Sequence, residues 1–149
     1  ISAVNGLLTQ EFADINFAFE RCLSIFPNYP RLWLDYASIL MRQRRITATR
    51  RVFNRALRAL PFGQHDRIWD AYLKFAVAVE SVTPQTTRHI WLRYWKYVSD
   101  KKEAQSISRL IASLERCRFF DDAAQILAEV AASEEPTSML LPSESSEGK

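Results

Sequence analysis

The chain has 149 residues, about one domain at the usual ~100–200 residues, with 48% apolar residues, 25% charged residues and a net charge of +3. That balance excludes wholesale disorder, and a chain this long buries a core without a disulfide or metal staple. Its three glycines stand against roughly ten expected from average usage, which excludes a small all-β domain or a glycine-rich nucleotide fold and predicts an almost wholly helical chain.

Residues 7–26 carry Phe12, Ile15, Phe19, Cys22, Leu23 and Phe26 at spacings of three and four, the helix period. Pro27 and Pro30 bracket a break, and Pro30 suits the first turn of the next helix, where its missing N–H costs nothing. That helix places Trp33, Tyr36, Ala37 and Leu40 on one face. After the polar stretch Arg42-Gln43-Arg44-Arg45, Thr47 is the expected cap of a third helix. There Phe53, Ala56, Leu57 and Leu60 form the apolar stripe, Arg51, Arg55 and Arg58 form its flank, and Pro61-Phe62-Gly63 stops it.

Asp66 is the expected cap of a fourth helix bearing Ile68, Trp69, Tyr72, Leu73 and Ala76. Thr83-Pro84 opens a fifth, with Ile90, Trp91, Tyr94, Trp95 and Val98 on its apolar face. Asp100 and Glu103 have the spacing of a capping box for a sixth, through Ile107, Leu110, Ile111 and Leu114. Phe119-Phe120 sits at a turn, and Asp121 starts a seventh with Ala124, Leu127, Ala128 and Ala131 inward. From Ser133 the chain turns to Ser, Glu and Pro around one apolar island, Met139-Leu140-Leu141. That segment has too little apolar content to fold alone and reads as a tail or linker. No run approaches the ~20 apolar residues of a membrane span, and Ile1-Ser2 opens without a leader, as an internal fragment of a longer protein would. Cys22 and Cys117 form no ligand cluster and are expected to be small buried hydrophobes in a reducing compartment.

A repeat runs through these helices. Trp33 and Trp69 stand 36 apart, each with a tyrosine three residues on, Tyr36 and Tyr72. Phe19, Phe53 and Trp91 lie 34 and 38 apart, each followed two residues later by Arg21, Arg55 or Arg93. Pro27 and Pro61 lie eight residues beyond the first two of these aromatics. No single hairpin buries both aromatic positions, whereas stacked hairpins do, which predicts a helical solenoid.

A period of 34–38 with these residues resembles the half-a-tetratricopeptide (HAT) repeat. The likeness tightens over Arg31-Leu32-Trp33-Leu34-Asp35-Tyr36, over Arg50-Arg51 with Phe53, over Arg55 to Pro61, and over Arg67-Ile68-Trp69. These strings resemble the N-terminal HAT arrays of the SYF family of pre-mRNA splicing factors, which include the XPA-binding protein of animals. The resemblance implies an all-α, right-handed superhelical solenoid of HAT (TPR-like) hairpins over residues 1–132, followed by an acidic tail or linker over 133–149. Trp33, Tyr36, Phe53, Arg55, Pro61, Trp69, Tyr72, Trp91 and Arg93 are its repeat positions. The pattern usually carries a glutamate late in its first helix, where Leu40 and Ala76 stand, so the polar contact such a glutamate makes between repeats is in question. The first copy has no recognisable first helix, and residues 101–132 lack the tryptophan and arginine, as in a degenerate or capping unit.

The same resemblance implies a non-catalytic scaffold in the nucleus, holding other spliceosomal proteins in a large ribonucleoprotein, the NineTeen-associated and intron-binding assemblies. The alternatives are a HAT scaffold of 3′-end cleavage or ribosomal-RNA processing, or direct RNA binding. It implies no cofactor, small-molecule substrate or membrane, and it carries a link to transcription-coupled repair.

The residues themselves point the same way. Aromatics at helical spacing read as packing rather than base-stacking platforms. His65 and His89 stand alone, so no metal site is expected. Asp35, Asp70, Glu80 and Asp121-Asp122 form no acid–base pair, and no nucleophile elbow or phosphate loop is present, so no enzyme is expected. Charge is concentrated: residues 31–60 hold eight arginines against one aspartate, while 1–30 carry −2 and 133–149 carry −3. Arg42, Arg44, Arg45, Arg51 and Arg58 are therefore the candidate partner contacts. A protein surface is favoured over an RNA backbone because the flanking segments are neutral to acidic.

Overall fold

A computed structural model describes residues 2–78, 82–101 and 103–134, and among them every regular element is helical. Glu80, the Met139-Leu140-Leu141 island and the rest of the tail after Glu134 lie outside the described residues. The helices are α1 (Ser2–Ile25), α2 (Pro30–Arg42), α3 (Ile46–Ala59), α4 (His65–Ala78), α5 (Pro84–Lys101), α6 (Ala104–Arg116) and α7 (Phe120–Glu134), with a 3₁₀ turn at Phe62–Gln64 before α4. All seven expected helices are present among the described residues, as an all-α helical repeat. The chain divides into two compact units, Ile1–Tyr97 and Val98–Lys149.

In the first unit α2 packs on α1 and α3, and α3 on α4. The buried face of α2 is Trp33, Tyr36, Ala37 and Leu40, the stripe its 3.6-residue period selects. Pro30 occupies its first turn, and the Trp33 indole N–H donates to the Pro27 carbonyl at 2.8 Å, fixing the chain's entry. On α3 the stripe is Thr49, Val52, Phe53 and Ala56, with Leu57 only half-buried. α4 buries Ile68, Trp69, Tyr72, Leu73, Phe75 and Ala76. At α5 the Thr83 hydroxyl accepts from the Thr86 N–H at 3.3 Å ahead of Pro84, the expected cap. In the second unit α6 packs on α7 through Leu110, Leu114, Ala123 and Ile126.

Several expectations are corrected. The cap of α3 is Arg45, without a side-chain bond, and Thr47 lies one residue inside the helix. Asp66 is likewise inside the first turn of α4, where it accepts from the Tyr97 hydroxyl. Asp100 belongs to the end of α5, and Glu103 caps α6 without a side-chain bond to the backbone. On α7 the buried positions are Ala123 and Ile126, while Ala124, Ala128 and Ala131 face out and Leu127 is exposed. An alanine-rich helix offers several apolar faces, and contact with α6 decides among them.

Cys22 is exposed and Cys117 half-buried, against the expectation that both are buried. The reason for Cys22 lies in α1. The face that meets α2 is Asn16, Phe19, Glu20 and Leu23, whereas Phe12, Ile15 and Phe26 are exposed. An open groove of about 420 Å³ runs between α6 and α7, lined by Ile107, Ile111, Leu127 and Val130, with Glu115 and Glu134 at its edges.

Candidate functional site

The first unit is built around a polar latch that occurs twice. Phe19 of α1 stacks on Tyr36 of α2, centroids 5.1 Å apart, and Phe53 of α3 stacks on Tyr72 of α4 at 4.7 Å. The residue after each phenylalanine is an acceptor. Glu20 receives the Tyr36 hydroxyl at 3.0 Å and both arms of the Arg55 guanidinium at 2.7 and 2.8 Å. Asn54 Oδ1 receives the Tyr72 hydroxyl at 3.2 Å and the Arg93 guanidinium. Each arginine also lies over the tryptophan of the preceding helix, Arg55 at 5.3 Å from the Trp33 ring centre and Arg93 at 6.0 Å from that of Trp69.

This geometry gives the repeat positions their places. Trp33, Tyr36, Phe53, Trp69, Tyr72 and Trp91 are all buried, Arg55 and Arg93 close the latch, and Pro61 is exposed beyond the end of α3. The inter-helix contact missing from Leu40 is made by Glu20, which comes from the helix before the tryptophan. Sequence reasoning found aromatic-x-Arg and passed over its middle residue. That residue was the available signal: Glu20 and Asn54 are acceptors, whereas Leu92 in the third copy is not. The bond from Arg55 holds the Glu20 carboxyl below its ordinary value, and burial, followed by the hydrogen bond to Glu20, pushes the Tyr36 phenol up to about 12.

Beside the latch lies the arginine face. Arg42 ends α2, and the backbone then closes with Arg44 N–H donating to the Met41 carbonyl at 2.9 Å and Arg45 N–H to the Leu40 carbonyl at 3.1 Å, a Schellman turn. Two further contacts fix this turn. Gln43 and Asn16 exchange amide bonds at 2.8 and 2.9 Å, and the Arg45 carbonyl accepts the Thr49 hydroxyl at 2.8 Å. Arg42, Arg44, Arg45, Arg51 and Arg58 are exposed, and among the described residues their guanidinium groups make no hydrogen bond or salt bridge. Arg55, on the same flank in sequence, is withdrawn from the face by Glu20.

Arg44 has φ 57°, the left-handed position that glycine usually fills at a helix end. Arg118 repeats the geometry after α6, with φ 64° and bonds from Arg118 N–H to Glu115 and from Phe119 N–H to Leu114. Arg44→Gly and Arg118→Gly are each expected to raise stability by about 0.5–1 kcal/mol, because relief of Cβ strain outweighs the extra freedom of glycine in the unfolded chain. Urea unfolding of the two variants checks this. A fall in either midpoint would mean that the arginine side chain itself holds the turn.

Elsewhere, carboxylates pair locally: Asp35 with Arg31 and Asp70 with Lys74, both at 3.1 Å. His65 Nε2 bonds the Leu60 carbonyl, closing the turn before α4, and His89 is exposed. Among the described residues no group of three His, Cys, Asp or Glu side chains could hold a metal ion, and no helix is long and apolar enough to cross a membrane.

Residues 2–116 match the family described as the pre-mRNA-splicing factor Syf1/CNRKL1 N-terminal HAT repeat. Among individual proteins, the chain is 39% identical over 123 residues to a pre-mRNA-splicing factor syf1 homolog of Drosophila melanogaster, covering 83% of this chain and 13% of that protein. It is 41% identical over 119 residues to the human pre-mRNA-splicing factor SYF1, covering 80% of this chain and 13% of the relative. Pre-mRNA-splicing factor cwf3 of Schizosaccharomyces pombe is 41% identical over 85 residues, 57% of this chain and 10% of the relative. The chain thus spans about an eighth of the length of the first two relatives.

Proposed function

Because the chain belongs to the Syf1/CNRKL1 N-terminal HAT-repeat family of pre-mRNA-splicing factors, we propose that it serves as a non-catalytic scaffold of the spliceosome in the nucleus. In this reading residues 1–132 form the HAT array and 133–149 its acidic linker. The array holds other proteins of the NineTeen-associated and intron-binding assemblies, and Arg42, Arg44, Arg45, Arg51 and Arg58 are a contact face for one of them. The family match over residues 2–116 carries the reading. The arginine face supports its second half, since five unpaired guanidinium groups stand on an already fixed turn and helix, so that pairing with a partner's carboxylates orders side chains but not backbone.

The test is affinity purification of the tagged full-length parent from nuclear extract after nuclease treatment, with the bound proteins identified by mass spectrometry. Splicing-complex proteins are expected to remain; loss of all of them on nuclease treatment would mean that RNA holds the assembly. In parallel, the triple variant Arg44→Glu, Arg45→Glu, Arg51→Glu is expected to keep wild-type helicity and melting while losing one partner. An unfolded variant would make the arginines structural and end the second half of the reading.

A further inference from the structure

Between Asp35 and Asp66 the chain has no carboxylate and no lysine, and seven arginines. Arg55 is bound by Glu20 and Arg50 is half-buried, which leaves five guanidinium groups in solvent. Their spacing is informative. Arg51 and Arg58 are seven residues apart on α3, which places them two turns and about 10 Å apart on one side of the helix. Arg44 and Arg45 stand at the N-terminal end of that helix, on a turn locked by two backbone bonds, the Asn16–Gln43 amide pair and Thr49. Guanidinium groups on rigid supports at this interval match acceptors that recur at the same interval. Carboxylates seven residues apart on a second α-helix do so, because their rise per residue is the same as that of α3. A single-stranded nucleic acid would call for aromatic platforms beside the cations, but Trp33, Tyr36, Phe53, Trp69 and Tyr72 are all buried, and the exposed Phe62 beyond Arg58 is packed against His65 and Tyr97.

We infer that the α2–α3 arginine face binds an acidic α-helix of another protein, laid along α3 with carboxylates at seven-residue intervals opposite Arg51 and Arg58 and its end against Arg44 and Arg45. This rests on the reading of the arginine face as a protein contact. The planar fork of arginine suits bidentate pairing with such carboxylates, which explains the absence of lysine from the segment.

The test uses the whole chain and three probes in fluorescence anisotropy at low and physiological salt: a helical peptide of roughly 20 residues with Glu at i, i+7 and i+14, a peptide of identical composition with those residues dispersed round the helix, and a short oligouridine. The aligned peptide is expected to bind at least about tenfold more tightly than the dispersed one, and Arg51→Ala with Arg58→Ala to abolish that difference at unchanged helicity. Equal binding of the two peptides overturns the spacing argument, and tighter binding of oligouridine than of either peptide overturns the protein helix altogether. The purification experiment separates the two levels. If the arginine variant loses its native partner but neither peptide binds, the contact face stands and the acidic helix falls; if it keeps every partner, the contact face falls as well.

Discussion

Replacing Phe53 by alanine is expected to lower the stability of the first unit by about 3–5 kcal/mol, the range for deleting a buried aromatic ring. Phe53 is 2% exposed and stacks on Tyr72 at 4.7 Å while tilting against Phe75 at 5.9 Å. Tyr72 in turn stacks on Trp69 at 5.7 Å, and its hydroxyl donates to Asn54, the residue beside Phe53. Loss of the ring therefore opens a cavity and also removes the surface that holds Tyr72 in bonding range of Asn54. Against a domain stability of about 5–15 kcal/mol, the variant is left marginal. Phe53→Leu keeps most of the volume and is expected to cost no more than about 1.5 kcal/mol. Urea unfolding followed by far-UV circular dichroism measures both. A cost for Phe53→Ala near 1 kcal/mol would show that α3 and α4 close over the gap, and that the stacked pair is not what fixes their spacing.

The legibility of this fold differed by element for a physical reason. On α2, α4 and α5 the residues that pack are also the large apolar ones, so periodicity alone selected Trp33, Tyr36, Leu40, Ile68, Trp69 and Trp91. On α1 the two properties separate. Its contact face includes Asn16 and Glu20, which are there to bond Gln43, Tyr36 and Arg55, while Phe12 and Phe26 point outward. The hydrophobic stripe then meets the contact face only at Phe19 and Leu23, and Cys22 falls outside it. N-terminal caps were misread because α3 and α6 start at Arg45 and Glu103 without any side-chain cap bond, and the C-terminal turns went unseen because nothing in the residue type of arginine announces the left-handed conformation of Arg44 and Arg118. The basic face was legible because its signal is an absence, thirty residues without a carboxylate. Which arginines are free was not, because that depended on Glu20 reaching across from α1 to take Arg55.

Glu20 is accordingly the position where a single polar substitution should be felt most. Glu20→Ala leaves the Tyr36 hydroxyl and both arms of Arg55 without their acceptor. Hydrogen bonds to charged groups are worth about 1.5–3 kcal/mol, but the Glu20 and Arg55 side chains are 42% and 38% exposed, so water and salt weaken the pair and the expected cost is about 1–2 kcal/mol. Its pH dependence identifies it. The Glu20 carboxyl is held below its ordinary value of 4.5 in the folded state by Arg55, so its contribution is fully present above that value and is lost as pH falls through the lowered folded value. The Tyr36 phenol behaves in the opposite sense. Burial and Glu20 raise it from 10.0 to about 12, so the folded state is favoured below 10 and loses that advantage as pH rises toward 12. Glu20→Gln keeps an acceptor in place but removes the charge, so it is expected to cost less than Glu20→Ala and to flatten the acid limb. It should also shrink the alkaline limb only in part, because burial of the phenol, the larger cause, remains. Melting temperatures of the wild type and the two variants across acid, neutral and alkaline pH provide the measurement. Identical acid limbs in wild type and Glu20→Gln would place the acid sensitivity elsewhere and leave the Glu20–Arg55 pair with no measurable part in joining α1 to α3.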